Sequence, residues 1–190
     1  GCRLVLTARR LDKLEGVAKR CRAQHASCEV LPVQADVTQR EELDQAVRMA
    51  REKFGKIDTV IANAGFGVVG PIERLTVEDY RRQFETNVFG VLHTIYATLD
   101  ELKKNRGRLA LMGSVAGYFS EARRSPYAMS KFSVRALAEA LYFELAPAGI
   151  SVTLISPGFV ESEIRRIDNL GRVNQTAKDR APRWLIMDAL

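Results

Sequence analysis

Histidine is scarce: His25 and His93 are the only two in 190 residues, and both fall in stretches of helical spacing. A histidine-based metal set is therefore excluded. Cysteine is nearly as rare. Cys2, Cys21 and Cys28 are odd in number and lack the paired spacing of a structural zinc site. They read as reduced thiols, and with no leader pattern over residues 1–10 the expected setting is cytoplasmic. No apolar run approaches the roughly 18–20 residues that a membrane-crossing helix needs, which excludes a transmembrane segment. Aromatic residues make up only 7% of the chain, and they do not interleave with basic residues as a base-stacking surface requires. The formal net charge is +6, but the cation pairs Arg9-Arg10, Lys103-Lys104, Arg123-Arg124 and Arg165-Arg166 sit at the ends of separate segments. Without one basic face, a nucleic-acid partner is not expected. The charge fits attraction for a small anion.

What is present is an ordinary mixture, 46% hydrophobic and 27% charged, enough for one core and one domain over residues 1–190. Strand-like and helix-like patterns alternate. Residues 3–8, 28–33, 58–62, 107–112 and 150–155 are short apolar, largely β-branched runs. Between them, residues 11–24 carry leucine, valine and alanine at helical spacing. A helix to about Phe54 is closed by Gly55, with Thr38 and Glu41 as a capping-box pair. Residues 76–105 form a long helical stretch begun by Thr76 and Asp79, and residues 125–148 form an apolar helix ended by Gly149. Apolar strands separated by helices predict a doubly wound parallel sheet, an α/β Rossmann-like three-layer fold covered on both faces. In such sheets ligands bind beyond the carboxyl ends of the strands. The chemistry is therefore expected at Arg9-Arg10 and in residues 35–38, 63–71, 113–124 and 156–162.

One pattern there bears on catalysis. Tyr127 and Lys131 are four residues apart on a helix and project from one face. A free tyrosine titrates near pH 10, so bringing it to neutrality needs about 3 pK units, or about 4 kcal/mol. An ammonium about 4 Å away supplies that order of stabilisation at an effective dielectric of about 20. Ser114 follows a buried strand and can donate to a carbonyl oxygen while Tyr127 protonates it.

Six motifs in order then resemble the short-chain dehydrogenase/reductase family: Thr7-Ala8-Arg9-Arg10, Asp36-Val37-Thr38, Asn63-Ala64-Gly65, Thr86-Asn87-Val88, Ser114 with Tyr127 and Lys131, and Pro157-Gly158. The resemblance extends to about Ser162. It implies a catalytic set of Ser114, Tyr127, Lys131 and Asn87. Tyr127 is the acid/base, and Lys131 lowers its pKa and binds the nicotinamide ribose. Ser114 orients the substrate carbonyl. Asn87 interrupts its helix and holds a relay water. Asp36 and Val37 lie at the adenine, Asn63, Ala64 and Gly65 behind the adenosine, and Pro157 and Gly158 at the nicotinamide amide. The implied substrate wall is Ser114, Val115, Ala116, Tyr118, Phe119, Phe159 and Val160, apolar enough for a lipid-like, steroid-like or aromatic carbonyl. Residues 160–190 would form a substrate lid. Family members pair through two long helices, so a homodimer or homotetramer is expected.

Cofactor choice follows from charge. Sheets of this kind that prefer NAD place an acid at the end of the second strand, for the ribose 2′-hydroxyl. Here the position holds Arg9 and Arg10, whose guanidinium groups suit a 2′-phosphate. NADP(H) is expected over NAD(H), with Arg9 the stronger candidate. The family's opening strand and glycine-rich turn have no match in this sequence. About 25–30 residues are expected to be missing at the front, on the usual size of a βα unit, and the last strand is missing at the other end. The expected activity is hydride transfer between a nicotinamide and a small-molecule ketone or secondary alcohol. The alternative is a non-catalytic NADP-binding sensor or scaffold, against which an intact Ser114, Tyr127 and Lys131 set argues.

Overall fold

The computed structural model describes residues 3–158, 160 and 168–172. The apolar runs form parallel strands β1 (Arg3–Ala8), β2 (Glu29–Gln34), β3 (Thr59–Ala62), β4 (Arg108–Met112) and β5 (Ser151–Ile155). The helices between them are α1 (Leu11–Gln24), α2 (Arg40–Phe54), α3 (Val77–Phe84), α4 (Gly90–Asn105) and α5 (Ser125–Leu145). This is the α/β alternation that the spacing predicts. No helix among the described residues is long and apolar enough to cross a membrane.

The strands pair in two sets. β1 lies beside β2 with Leu4 opposite Val30, and β4 lies between β3 and β5 with Leu109 opposite both Val60 and Val152. Among the described residues no ladder joins the sets, so β1 and β3 each have a partner on one edge only. The burial pattern departs from the expectation of strands covered on both faces. Val60, Ala62, Leu109 and Leu111 are buried beneath Val91, Ile95 and Leu102 of α4 and Val134 and Ala138 of α5. The alternate residues of the same strands face outward: Ile61 is 57% exposed and Ile155 37% exposed. Side chains alternate across a strand, so among the described residues Ile61 of β3 and Ile155 of β5 stay open on that face, while Ala110 and Met112 of β4 are half-buried. α1 packs Ala18 and Cys21 on Leu4, Leu6 and Val30, while α2 packs on α4, where Arg51 reaches the buried Glu101 at 3.1 Å.

Element ends show where local signals hold. Thr76 and Asp79 form the expected capping box of α3, and Gly55 closes α2 with φ 82°, a left-handed conformation that suits glycine. The capping pair expected at Thr38 and Glu41 does not form. Gln39 is the N-cap of α2, without a side-chain bond. The Thr38 N–H and hydroxyl both donate to the Asp36 carboxylate instead, at 3.0 and 2.9 Å, a local turn that competes with capping. The stretch expected as one helix over residues 76–105 is divided by a π turn, Glu85–Phe89, at whose centre Asn87 is 1% exposed. α5 ends three residues before its expected limit and passes into a 3-10 turn, Ala146–Ala148, at Pro147, whose ring cannot continue the helical bonding.

Gly90, the first residue of α4, marks a close approach. A Cβ there would stand 2.7 Å from Val37 Cγ2. Gly90→Ala is expected to destabilise the protein by about 1–3 kcal/mol through overpacking, against a helix-propensity gain of about 1 kcal/mol. In a Val37→Ala background the same change should become neutral or stabilising, measured by urea unfolding. An unchanged sign in the two backgrounds would refute the contact.

Candidate active site

α5 begins with Ser125 and Pro126, and a proline at a helix start loses no intrahelical bond. Tyr127 and Lys131 follow on successive turns. The Tyr127 ring is half-buried, and its centroid is 5.8 Å from Lys131 Nζ. Lys131 is only 5% exposed, and its Nζ donates to the Met112 carbonyl at 2.7 Å, at the end of β4. Burial pushes the lysine pKa down to about 8, because desolvation disfavours the charged form. Ser114 stands two residues beyond Met112 and is 9% exposed. Its hydroxyl accepts from the Ala116 N–H at 3.2 Å, and the 3-10 turn Val115–Gly117 that it opens lies on the Lys131 backbone. The Val115 N–H donates to the Pro157 carbonyl at 3.0 Å, joining the loops beyond β4 and β5. Ser114 and Lys131 thus lie at the end of β4, and Tyr127 is one turn before Lys131 at the start of α5.

Asn87 lies behind them with its side chain fully engaged. Oδ1 accepts from the Phe66 N–H, and Nδ2 donates to the Phe66 carbonyl and to Ser130 Oγ, each at 3.1 Å. Ser130 in turn donates to the Tyr127 carbonyl at 2.7 Å. Gly65 abuts Asn87, while Asn63 and Ala64 are exposed.

Of the cofactor candidates, Arg9 and Arg10 follow β1, and Asp36 and Val37 follow β2. The Arg9 guanidinium is exposed and donates to the Gly171 carbonyl at 3.3 Å. Arg10 is the residue before α1. Beyond its bonds to Thr38, Asp36 donates its own N–H to Glu42 at 2.7 Å. Val37 is held by Gly90 and by His93, whose Nδ1 lies 3.0 Å from the Val37 carbonyl. A cavity of about 890 Å³ is lined by Arg9, Asp36, Phe66, Arg81, Arg82 and Met129 among others, but not by Ser114, Tyr127 or Lys131. Three guanidinium groups (Arg9, Arg81 and Arg82) and three carboxylates (Asp36, Glu78 and Glu85) line it, and Arg81 and Arg82 are paired with Glu78 and Asp79. No glycine-rich turn lines the cavity among the described residues. Of the substrate candidates, Val115 and Ala116 are half-buried and Phe119 and Val160 are exposed, while Gly158, a cofactor candidate, faces open space. The Tyr118 ring is stacked by Arg135 of α5 at 4.3 Å and is 51% exposed. Phe159 and most of residues 160–190 lie outside the described residues.

Sequence reasoning missed Gln83, Ser130, His93 and Asn169, which hold the loops around these groups. Gln83 stands four residues before Asn87, so the two amides share a face, but that spacing does not say which backbone groups they hold.

A lysine whose pKa falls on folding binds its proton less tightly in the folded state. Its contribution is unfavourable at low pH, and stability rises as pH climbs from about 8 to 10.5. The rise is expected to approach 3 kcal/mol at most, and Lys131→Met should remove it. The check is the difference in unfolding free energy between wild type and variant at pH 7.5 and pH 10. A difference that does not change with pH would exclude a desolvated ammonium.

The chain matches the family model described as short chain dehydrogenase over residues 1–171. It is 34% identical over 165 residues to an uncharacterized oxidoreductase of Staphylococcus aureus, covering 86% of this chain and 70% of the relative. It is also 36% identical over 170 residues to one of Myxococcus xanthus, covering 89% and 66%. Among solved structures it resembles the alcohol dehydrogenase of the archaeon Thermococcus sibiricus complexed with 5-hydroxy-NADP (TM-score 0.75, 29% identity, 89% of this chain and 69% of that one). It also resembles a short chain dehydrogenase/reductase of Burkholderia phymatum in complex with NAD (TM-score 0.82, 28% identity, 100% and 65%). With parallel strands alternating with helices, and with this likeness over nine-tenths of its length, the chain belongs to the short-chain dehydrogenase/reductase family of NAD(P)-dependent oxidoreductases.

Proposed function

We propose that this protein is an NADPH-preferring reductase of ketones and dehydrogenase of secondary alcohols, with Tyr127 as its acid/base. The observation that carries the reading is the buried Lys131 ammonium, one helical turn from the phenol and tied to the end of β4. In this reading that cation stands beside the ring of the group that transfers the proton. Tyr127 gives its proton to a carbonyl oxygen and recovers it through Lys131 and the Asn87 turn. Ser114 donates a second hydrogen bond to that oxygen, and the two donors stabilise the developing charge. The nicotinamide, when bound, supplies the hydride. Arg9 and Arg10 hold the 2′-phosphate, Asp36 and Val37 the adenine, and Pro157 and Gly158 the carboxamide. Asn63, Ala64 and Gly65 support the adenosine side.

The reading includes a further strand between β1 and β3, each of which has a free ladder edge among the described residues. Its glycine-rich turn would bring backbone N–H groups to the pyrophosphate. Val115, Ala116, Phe119 and Val160 form an apolar substrate wall; Phe159 and most of the lid expected of residues 160–190 lie outside the described residues. The outer faces of α4 and α5 carry exposed Tyr96, Phe132, Tyr142 and Phe143 and pair copies into a homodimer or homotetramer. By contrast, Leu137, Leu141 and Leu145 of α5 pack on the core.

Tyr127→Phe is expected to lower ketone reduction by about 10²–10⁴-fold, measured as initial rates of NADPH oxidation across a ketone panel. Full turnover by the variant would remove the acid/base role. Arg9→Asp is expected to lower the ratio of kcat/KM for NADPH to that for NADH by about tenfold or more, the worth of a charge-assisted hydrogen bond. An unchanged ratio would remove Arg9 from cofactor selection.

A further inference from the structure

We infer that Gln83 is a positioning residue for Tyr127, acting through the loop between β3 and α3. The inference rests on the proposed acid/base role only for its catalytic consequence. Its geometry stands by itself.

The loop over residues 66–70 has no strand beside it among the described residues, yet backbone groups of Phe66, Val68, Val69 and Gly70 are bonded. The Gln83 amide does this for the two peptides that flank Gly67. Its Oε1 accepts from the Val68 N–H at 2.6 Å, and its Nε2 donates to the Phe66 carbonyl at 2.8 Å. Asn87 holds Phe66 from the next turn, Asn169 grips Val69 through both its N–H and its carbonyl, and the Gly70 N–H donates to the Arg123 carbonyl. Side-chain amides thus replace a neighbouring strand, and Gln83 spans the middle of the segment.

Two observations set Gln83 apart from ordinary packing. It is the one buried residue of α3, with 0% exposure, on a helix that is otherwise exposed or half-buried. A buried amide is costly unless both of its ends are bonded, and here both are. Second, the residue between its two partners touches the proposed acid/base. A Cβ on Gly67 would lie 3.6 Å from Tyr127 Cδ2, so the phenol ring rests on the peptide segment that Gln83 holds. The main chain of Tyr127 is fixed separately through Ser130. Gln83 thus sets where the ring lies without touching substrate or cofactor.

The test uses two variants of the full chain with ¹³C-labelled tyrosine rings, the Tyr127 signal being assigned with Tyr127→Phe among the five tyrosines. Gln83→Met keeps the volume and removes both bonds. Gln83→Glu introduces a carboxyl group that, when neutral, donates to Phe66 and accepts from Val68 as the amide does, and when ionised repels the Phe66 carbonyl. Signals are compared with wild type at the same pH. In Gln83→Met the Tyr127 signal should be displaced throughout. In Gln83→Glu it should coincide with wild type at pH 5 and separate by pH 8, while Tyr96 and Tyr142 stay in place. With an accepted ketone, kcat in Gln83→Glu should fall about tenfold between pH 5 and pH 8 relative to wild type, with KM unchanged.

A Tyr127 signal that follows wild type at both pH values overturns the inference. So does one that fails to recover at pH 5, or that moves together with Tyr96 and Tyr142. Should Gln83→Met not fold, the two pH values of Gln83→Glu carry the decision within one protein. Should Tyr127→Phe keep full turnover, the acid/base reading falls while the ring signal still decides the role of Gln83.

Discussion

A buried ammonium needs an oxygen partner, and the position of Lys131 depends on that requirement. Its Nζ reaches the Met112 carbonyl from α5, at the point where β4 ends. The bond sets the height of α5 along the sheet, and with it the height of Tyr127. It also places the turn after Ser114, because Gly117 packs on the Lys131 backbone so closely that a Cβ there would stand 2.9 Å from the Lys131 carbonyl oxygen. Burial still weakens the lysine's hold on its proton. The same desolvation that costs stability keeps the cation poised near a phenol, a local conflict between stability and chemistry of the kind expected at an active site.

A second constraint acts through backbone hydrogen bonds. Parallel strands leave irregular loops at their carboxyl ends, where ladder partners run out. In this chain the loop after β3 is completed by the amides of Gln83, Asn87 and Asn169. The π turn at Glu85–Phe89 has a role in the same network, since it carries the inward-facing Asn87. Tyr80 of α3 shares a hydrogen bond of 2.7 Å with Ser125 at the start of α5. The segments flanking the phenol are thus cross-linked on several sides by polar groups.

Much of the framework was legible in the order of residues. The strands fall within one residue of their expected limits, because apolar runs bounded by charge and glycine are local signals. The capping box at Thr76 is equally local. The signal at Thr38 was local too, but an Asp two residues earlier competed for the same hydroxyl and won. The exposure of Ile61 and Ile155 among the described residues was not legible, since an apolar run does not state how many layers cover it. Nor were Gln83 and His93, polar residues within helices whose partners lie 15 and 17 residues away for Gln83 and 56 away for His93.

The sequence by itself determined the succession of strands and helices and the one-turn spacing of Tyr127 and Lys131, because both arise from periodicities within a few residues. Tertiary structure decided which carbonyl receives the ammonium, which amides complete the loop beside the phenol, and which strand residues α4 and α5 bury. Those outcomes depend on bonds between residues far apart in the chain, and only the packed arrangement of helices on strands brings such partners within reach.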